Sequence, residues 1–257
     1  MFTLDGTVTV ITGAASGIGA AAARRFAAAG SDLVLADHAA DGHDMDAVVA
    51  DVRAAGRTVD VLEVDVRDAA SVDALIATAL ERHGRLDAVI ANAAIARVHP
   101  LSEMSEADWS ETIDVDLTGV WRTFRAAVGP MRLAGHGRLL ATTSTVGVLE
   151  SWVNHAHYSA AKAGIAGMVR TLATELGPDG ITVNAIAPGI IETPQTLDPV
   201  NSLGATGIVE VSARQAVRRI GRPEDIAAGY HFLASADASF VTGQVLVIDG
   251  GRTQQHG

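Results

Sequence analysis

Tyr158 and Lys162 stand four residues apart in the run Tyr158-Ser159-Ala160-Ala161-Lys162, and Lys162 is the only lysine in the chain. On a helix, that spacing puts the phenol and the ammonium on one face. A free tyrosine has a pKa near 10, and a cation within about 4–6 Å favours its charged form by roughly 1–3 units. A phenol lowered in this way can act as a general base toward an alcohol or a general acid toward a ketone. A lysine snorkelling beside an interfacial tyrosine would show the same spacing, so the pair needs company before it means chemistry. That company begins at Thr12-Gly13-Ala14-Ala15-Ser16-Gly17-Ile18-Gly19. Gly13, Gly17 and Gly19 let the backbone turn sharply and approach a pyrophosphate, with Ser16 and Ile18 at the mouth of the following helix. Asp37 comes 18 residues after Gly19. A carboxylate there accepts hydrogen bonds from ribose hydroxyls and repels a 2′-phosphate. Ser16 and His38 offer no fixed positive charge to offset that repulsion, so NAD is favoured over NADP.

Positioning these groups takes alternating strands and helices. Apolar, β-branched runs predict strands at Thr7–Thr12, Asp32–Ala36, Thr58–Val64, Ala88–Ala91, Arg138–Thr142, Thr182–Ile186 and Val245–Ile248. They read as continuous rather than alternating, the pattern of strands covered on both faces. Helices are predicted near Gly17–Ala29, Asp44–Ala55, Ser71–Arg82, Glu106–Leu133, Ser159–Leu176 and Pro223–Ala234, with Ser71 as a cap and Pro223 in a first turn. Parallel strands need helical crossovers, so the expected fold class is α/β: a Rossmann-type doubly wound sheet of seven parallel strands, as one domain over residues 1–257. Asp65-Val66 and Asn92-Ala93-Ala94 then follow the third and fourth strands, at the edge where such sheets bind ligands, although Asp and Asn also suit ordinary turns. Residues 192–221 lack clear strand character and carry Pro194, Pro199, Gly204 and Gly207. A segment of that length in a compact domain is expected to be a lid.

Composition narrows the function classes. The chain has 257 residues, 48% hydrophobic and 19% charged, a core-forming balance that excludes a largely disordered protein. Cysteine is absent, which removes disulfides, thiolate metal sites and cysteine nucleophiles. A formal charge of −11 argues against capture of nucleic acid or an anionic membrane. With no secretory signal at Met1–Asp5 and no apolar run long enough to span a bilayer, the expected location is the cytoplasm.

Taken together and in order, the TGAASGIG loop, Asp65-Val66, Asn92-Ala93-Ala94, Ser144, the YSAAK run and Pro188-Gly189 resemble the short-chain dehydrogenase/reductase family over essentially the whole chain. The resemblance implies an NAD-dependent oxidoreductase that interconverts a secondary alcohol and its ketone. Tyr158 would be the proton donor and acceptor. Lys162 would lower its pKa and hold the nicotinamide ribose, and Ser144 would orient the substrate oxygen. Pro188, Gly189, Ile191 and Thr193 would cradle the nicotinamide. The Ala- and Gly-rich helices Glu106–Leu133 and Ser159–Leu176 would meet in a homotetramer.

Three features depart from the family. Ser144 lies 14 residues before Tyr158 where many relatives have 13, which makes Thr145 a second candidate. Asn92-Ala93-Ala94 replaces the commoner Asn-Ala-Gly. Asp116 stands where the family usually has an Asn assigned to a water relay beyond the lysine. Asp keeps that shape but lacks amide donors. It is expected to bind neighbouring backbone N–H groups; the alternative is that its charge favours the ammonium of Lys162.

The residues between Ser144 and Tyr158 leave the substrate open. Val146, Val148, Leu149, Trp152 and Val153 suit a hydrophobic, aryl or alicyclic alcohol; Glu150, Asn154, His155 and His157 suit a polyol or sugar. His155 and His157 have no carboxylate at a convincing metal-ligand spacing, so no metal is expected. A 3-oxoacyl substrate would find few cations in the lid besides Arg214, Arg218 and Arg219. A catalytically silent dinucleotide-binding sensor is the competing function of another class.

Overall fold

A computed structural model describes residues 2–38, 42–212 and 215–254; Arg214 lies outside the described residues. Seven strands form one parallel sheet: β1 (Val8–Thr12), β2 (Asp32–Asp37), β3 (Val59–Glu63), β4 (Ala88–Ala91), β5 (Gly137–Thr142), β6 (Ile181–Pro188) and β7 (Val245–Ile248). Their order is β3-β2-β1-β4-β5-β6-β7, so the winding reverses between β1 and β4. Neighbouring residues within a strand serve opposite layers, because side chains alternate across a sheet. Val10, Val34, Val89 and Leu139 face one core with Leu75, Phe124, Ile165 and Val169; Ile11, Leu35, Ile90 and Leu140 face the other with Phe26, Val52, Ile226 and Tyr230.

The helices are α1 (Gly17–Ala28), α2 (Asp46–Ala54), α3 (Ala69–His83), α4 (Glu106–Ile113), α5 (Gly119–Ala134), a short turn α6 (Thr145–Val148), α7 (Ala156–Leu176), α8 (Pro194–Leu197), α9 (Gly204–Ser212) and α10 (Pro223–Ala234). Several expectations are corrected. Helix α3 is capped by Asp68, whose side chain accepts from Ala70 N–H, and Ser71 lies inside it. Helix α7 starts at Ala156, ahead of the Ser159 expected from the sequence. The edge strands β3 and β7 are only partly covered, since a helix layer cannot wrap the margins of a twisted sheet. The predicted helix Glu106–Leu133 is interrupted by a π-turn at Asp114–Thr118, where Gly119 N–H bonds the Asp114 carbonyl five residues back. A π-turn widens the helix by one residue and re-aims its side chains, a feature that often marks functional positions. Here it turns Asp116 fully inward. Among the described residues, no helix is long and apolar enough to cross a membrane.

Candidate active site

The carboxyl ends of the strands open on a cleft of about 440 Å³ at the point where the winding reverses, the position at which such sheets take ligands. Gly13, Ser16, Gly17, Ile18, Asp37, Asp65, Val66, Asn92, Ser144, Tyr158, Lys162, Pro188, Gly189, Ile191 and Thr193 all line it. Gly19 and Asp116 do not; each acts from behind.

At one end, β1 runs through the glycine loop into α1. Gly13 has φ +65°, and a Cβ there would come within 2.9 Å of the Ala93 backbone. A Cβ on Gly19 would collide with the Gly13 carbonyl oxygen, so Gly19 serves the close packing of helix on loop. Ser16 occupies the N-cap of α1 without spending its hydroxyl on the helix, and no acidic residue lies in the first turn. The unpaired N–H groups and the positive end of the helix are therefore free for an anion. The Asp37 carboxylate accepts Ala15 N–H at 2.7 Å and His38 N–H at 2.9 Å, which holds it against the loop. Asp65 is clamped by the Arg67 guanidinium at 2.7 Å, and that hydrogen bond pulls its pKa below the usual carboxylate value. Asn92 works as a staple: its amide donates to the Thr12 and Gly13 carbonyls and its oxygen accepts from the Thr142 hydroxyl. The loop, the free helix end and the Asp37 carboxylate beside them fit a nicotinamide dinucleotide.

At the other end, α7 presents Tyr158 and Lys162 and the end of β5 presents Ser144. The Ser144 hydroxyl accepts Val146 N–H at 3.1 Å and caps α6. Thr145 faces away and donates to Glu150 at 2.7 Å, which leaves Ser144 as the hydroxyl on the cleft. Lys162 is 1% exposed; its Nζ lies 5.3 Å from the Tyr158 ring centroid, donates to the Thr142 carbonyl at 3.3 Å and stands 3.1 Å from Asp116 Oδ2. Asp116 Oδ1 accepts Ile95 N–H at 2.8 Å. The expected backbone bond is present, but the carboxylate also forms a buried ion pair with the lysine, so the charge of Asp116 enters the site. Burial pushes the Asp116 carboxyl above its ordinary value. Burial also opposes the Lys162 ammonium, but Asp116 and Tyr158 overcome it and hold the lysine above its usual pKa.

The expected pull of Lys162 on the phenol is present but is outweighed by burial. Burial dominates, and Tyr158 lies above its ordinary pKa. Lys162 does pull it down, yet Asp116 pushes it up, because the lysine is shared with a carboxylate. Ser144 and Gln195 stand near enough to favour the phenolate as well.

Gln195 was not singled out from the sequence. It sits on α8, which Thr193 caps by accepting Thr196 N–H at 3.2 Å. The Thr193-Pro194 helix-start signal could have pointed to it. Arg97, beyond β4, also lines the cleft and carried no sequence signal. The lid segment is closed at its base, where Glu192 N–H bonds Gly221 O and Gly221 N–H bonds Ile190 O, and residues 193–196 lean over the cleft. The polar residues before Tyr158 are largely spent inside the protein. Glu150 pairs with Arg252 at 3.1 Å, the His155 ring stacks 3.5 Å from Trp152, and His157 Nδ1 accepts Tyr158 N–H. Trp152 meets the Tyr158 ring edge-on at 5.8 Å.

A family model described as Enoyl-(Acyl carrier protein) reductase matches residues 13–253. The chain is 42% identical over 247 residues to the cis-4-hydroxycyclohexanecarboxylate dehydrogenase of Sinomonas cyclohexanicum, covering 96% of each. It is 39% identical to a (2S)-[(R)-hydroxy(phenyl)methyl]succinyl-CoA dehydrogenase subunit of Thauera aromatica, covering 97% of this chain and 98% of that one. The crystal structure of levodione reductase superposes with a TM-score of 0.91 at 35% identity, over 100% of both chains.

Proposed function

The chain belongs to the short-chain dehydrogenase/reductase family, and we propose that within it this protein is an NAD-dependent oxidoreductase interconverting a secondary alcohol and the corresponding ketone. The observation that carries the proposal is the convergence of Ser144, Tyr158 and Lys162 on the same cleft as the glycine loop and Asp37. Residues 1–257 would act as one catalytic unit.

The Gly13–Gly19 loop and Ser16 would hold the pyrophosphate, Asp37 the adenosine ribose, and Asp65 and Val66 the adenine side. Asn92 would keep the loop in shape. Tyr158 and Lys162 would hold the second ribose, and Pro188, Gly189, Ile191 and Thr193 the nicotinamide. When bound, the oxidised nicotinamide supplies the acceptor for the carbinol hydrogen and its electron pair. Ser144 donates a hydrogen bond that orients the substrate oxygen. Tyr158 takes the hydroxyl proton in oxidation and returns it to the ketone oxygen in reduction. Lys162 favours the phenolate, and Asp116 keeps Lys162 charged. Burial raises the Tyr158 pKa, which favours the protonated phenol that ketone reduction uses, whereas alcohol oxidation gains as pH rises and the phenol ionises.

An alicyclic or aryl substrate is supported over a polyol, since Glu150 pairs with Arg252, the His155 ring stacks on Trp152, His157 Nδ1 accepts Tyr158 N–H, and none of these three polar side chains lines the cleft. The ring in the name of the Sinomonas relative's substrate supports the same class. Exposed Trp109, Trp121 and Leu133 on α4 and α5 support a homotetramer through these helices. The test is reduction of NAD and of NADP over a panel of secondary alcohols. Turnover with NAD is the expected outcome. Tight NAD binding with no turnover on any alcohol or ketone would leave a dinucleotide sensor instead.

A further inference from the structure

Among the described residues, three arginine or lysine side chains line the cleft: Arg67, Lys162 and Arg97. Two are already committed. Arg67 clamps Asp65 at 2.7 Å, and Lys162 stands 3.1 Å from Asp116. Arg97 is half-buried and forms no ion pair with any described residue. Its recorded hydrogen bond runs from Nη1 to the carbonyl of its own neighbour Ala96, at 3.0 Å. A guanidinium carries five N–H donors, so most of the fork is left for something in the cleft.

The backbone on either side of Arg97 is held. Ile95 N–H is bound by Asp116 at 2.8 Å, and Val98 N–H is bound by Asn201 of the lid segment at 3.3 Å. The arginine therefore sits between the Lys162–Asp116 pair and the lid, at the chemical end. The carboxylates that feel its charge are Asp116 and Asp198. Asp116 is balanced by Lys162, and Asp198 is satisfied by Val200 N–H and the amide of Asn201. Neither neutralises Arg97 by direct contact.

We propose that Arg97 is a specificity-determining residue that binds a carboxylate on the substrate. The substrate class is then a hydroxy acid and its keto acid, with an apolar spacer between the reacting carbon and the carboxylate. The inference rests on the alcohol–ketone reading above. A carboxylate matches the planar guanidinium fork in two parallel hydrogen bonds. One arginine balances one negative charge. A phosphate with nearly two would meet the field of Asp198 and of a chain of net charge −11 with a single counter-charge.

The test compares 3- and 4-hydroxycyclohexanecarboxylate with the corresponding carboxamides, at saturating NAD, in the wild type, Arg97→Gln and Arg97→Lys. The wild type is expected to prefer acid over carboxamide in kcat/KM by about 10- to 100-fold, the scale of a charge-assisted hydrogen bond. That ratio collapses toward one in Arg97→Gln through a rise in KM, and Arg97→Lys retains part of it. Cyclohexanecarboxylate, which has no hydroxyl to oxidise, inhibits the wild type competitively and loses its hold on Arg97→Gln to a similar extent. Equal use of acid and carboxamide by the wild type overturns the role of Arg97 and leaves the alcohol–ketone reading standing. So does an Arg97→Gln variant in which the ratio persists while NAD affinity falls. If no alcohol in either series reduces NAD or NADP, the alcohol–ketone reading itself fails. Should Arg97→Gln fail to fold, the wild-type ratio and Arg97→Lys still decide.

Discussion

The two ends of the cleft carry charge in different ways. At the glycine-loop end Asp37 and Asp65 are partly exposed, and each is held by near neighbours: Asp37 by Ala15 and His38 N–H groups, Asp65 by the Arg67 side chain two residues on. At the chemical end Lys162 and Asp116 are buried, and their pairing joins α7 to the π-turn between α4 and α5, 46 positions apart in the chain. Exposed charges interact weakly and are screened, whereas buried ones feel each other strongly and cannot be removed singly without cost. Substitutions at the glycine-loop end should therefore change which cofactor is chosen, if Asp37 holds the adenosine ribose as proposed. At the chemical end they should change stability, rate and the pH at which the rate appears.

The largest effect is expected at Lys162. Lys162→Met leaves Asp116 buried without its partner, which should destabilise the protein by about 3–5 kcal/mol in denaturant unfolding. A Tm and unfolding midpoint equal to those of the wild type would break the contrast between the two ends. Next comes Tyr158→Phe, which keeps the ring and removes the ionising oxygen. Turnover should fall at least about 10²-fold, with NAD affinity nearly unchanged because Lys162 still holds the second ribose; ordinary turnover in this variant would refute the proton path.

Asp37 tests the other end. The wild type should prefer NAD to NADP by well over about tenfold in kcat/KM, on the ribose-carboxylate argument. Asp37→Ala should relax that preference chiefly by weakening NAD, with the pH profile unmoved. A wild-type ratio near one would remove the basis of the cofactor assignment.

The smallest effect in rate, and the sharpest in meaning, is at Asp116. Its negative charge pushes the Tyr158 pKa up, so removing it lets the phenol ionise at lower pH. Asp116→Asn keeps the oxygen that accepts Ile95 N–H. Maximal turnover should stay within a few-fold, while the rising limb of alcohol oxidation moves to lower pH by about one unit. Superimposable profiles would confine Asp116 to its bond with Ile95.

Much of this arrangement was legible in the chain. All seven strands lie where the β-branched runs predict them; the central strands, buried on both faces, must be apolar almost throughout, while β3 and β7 are marked by β-branched residues despite partial cover. Each predicted cofactor residue except Gly19 lines the cleft, since strand ends in a parallel sheet converge on one edge whatever the loop details. The π-turn was not legible. Glu106 to Leu133 has the composition of an unbroken helix, and the extra residue per turn is set by how Asp116 must meet Ile95 and Lys162 across the fold. Asp68 and Ser71 are both good caps, and the choice between them depends on where the turn after β3 closes.

Local order along the chain thus determined the strand–helix alternation, the glycine loop, the carboxylate of Asp37 at the end of β2, and the phenol and ammonium on one helical face, because all of these rest on neighbours a few residues apart. Tertiary structure alone decided three things: that Asp116 shares the lysine, that burial holds the Tyr158 phenol above its ordinary pKa, and that Arg97 lines the cleft with no ion pair among the described residues. Each depends on burial and on distances between segments remote in sequence. Electrostatic energy in a protein is governed by those quantities, and the chain order does not encode them locally.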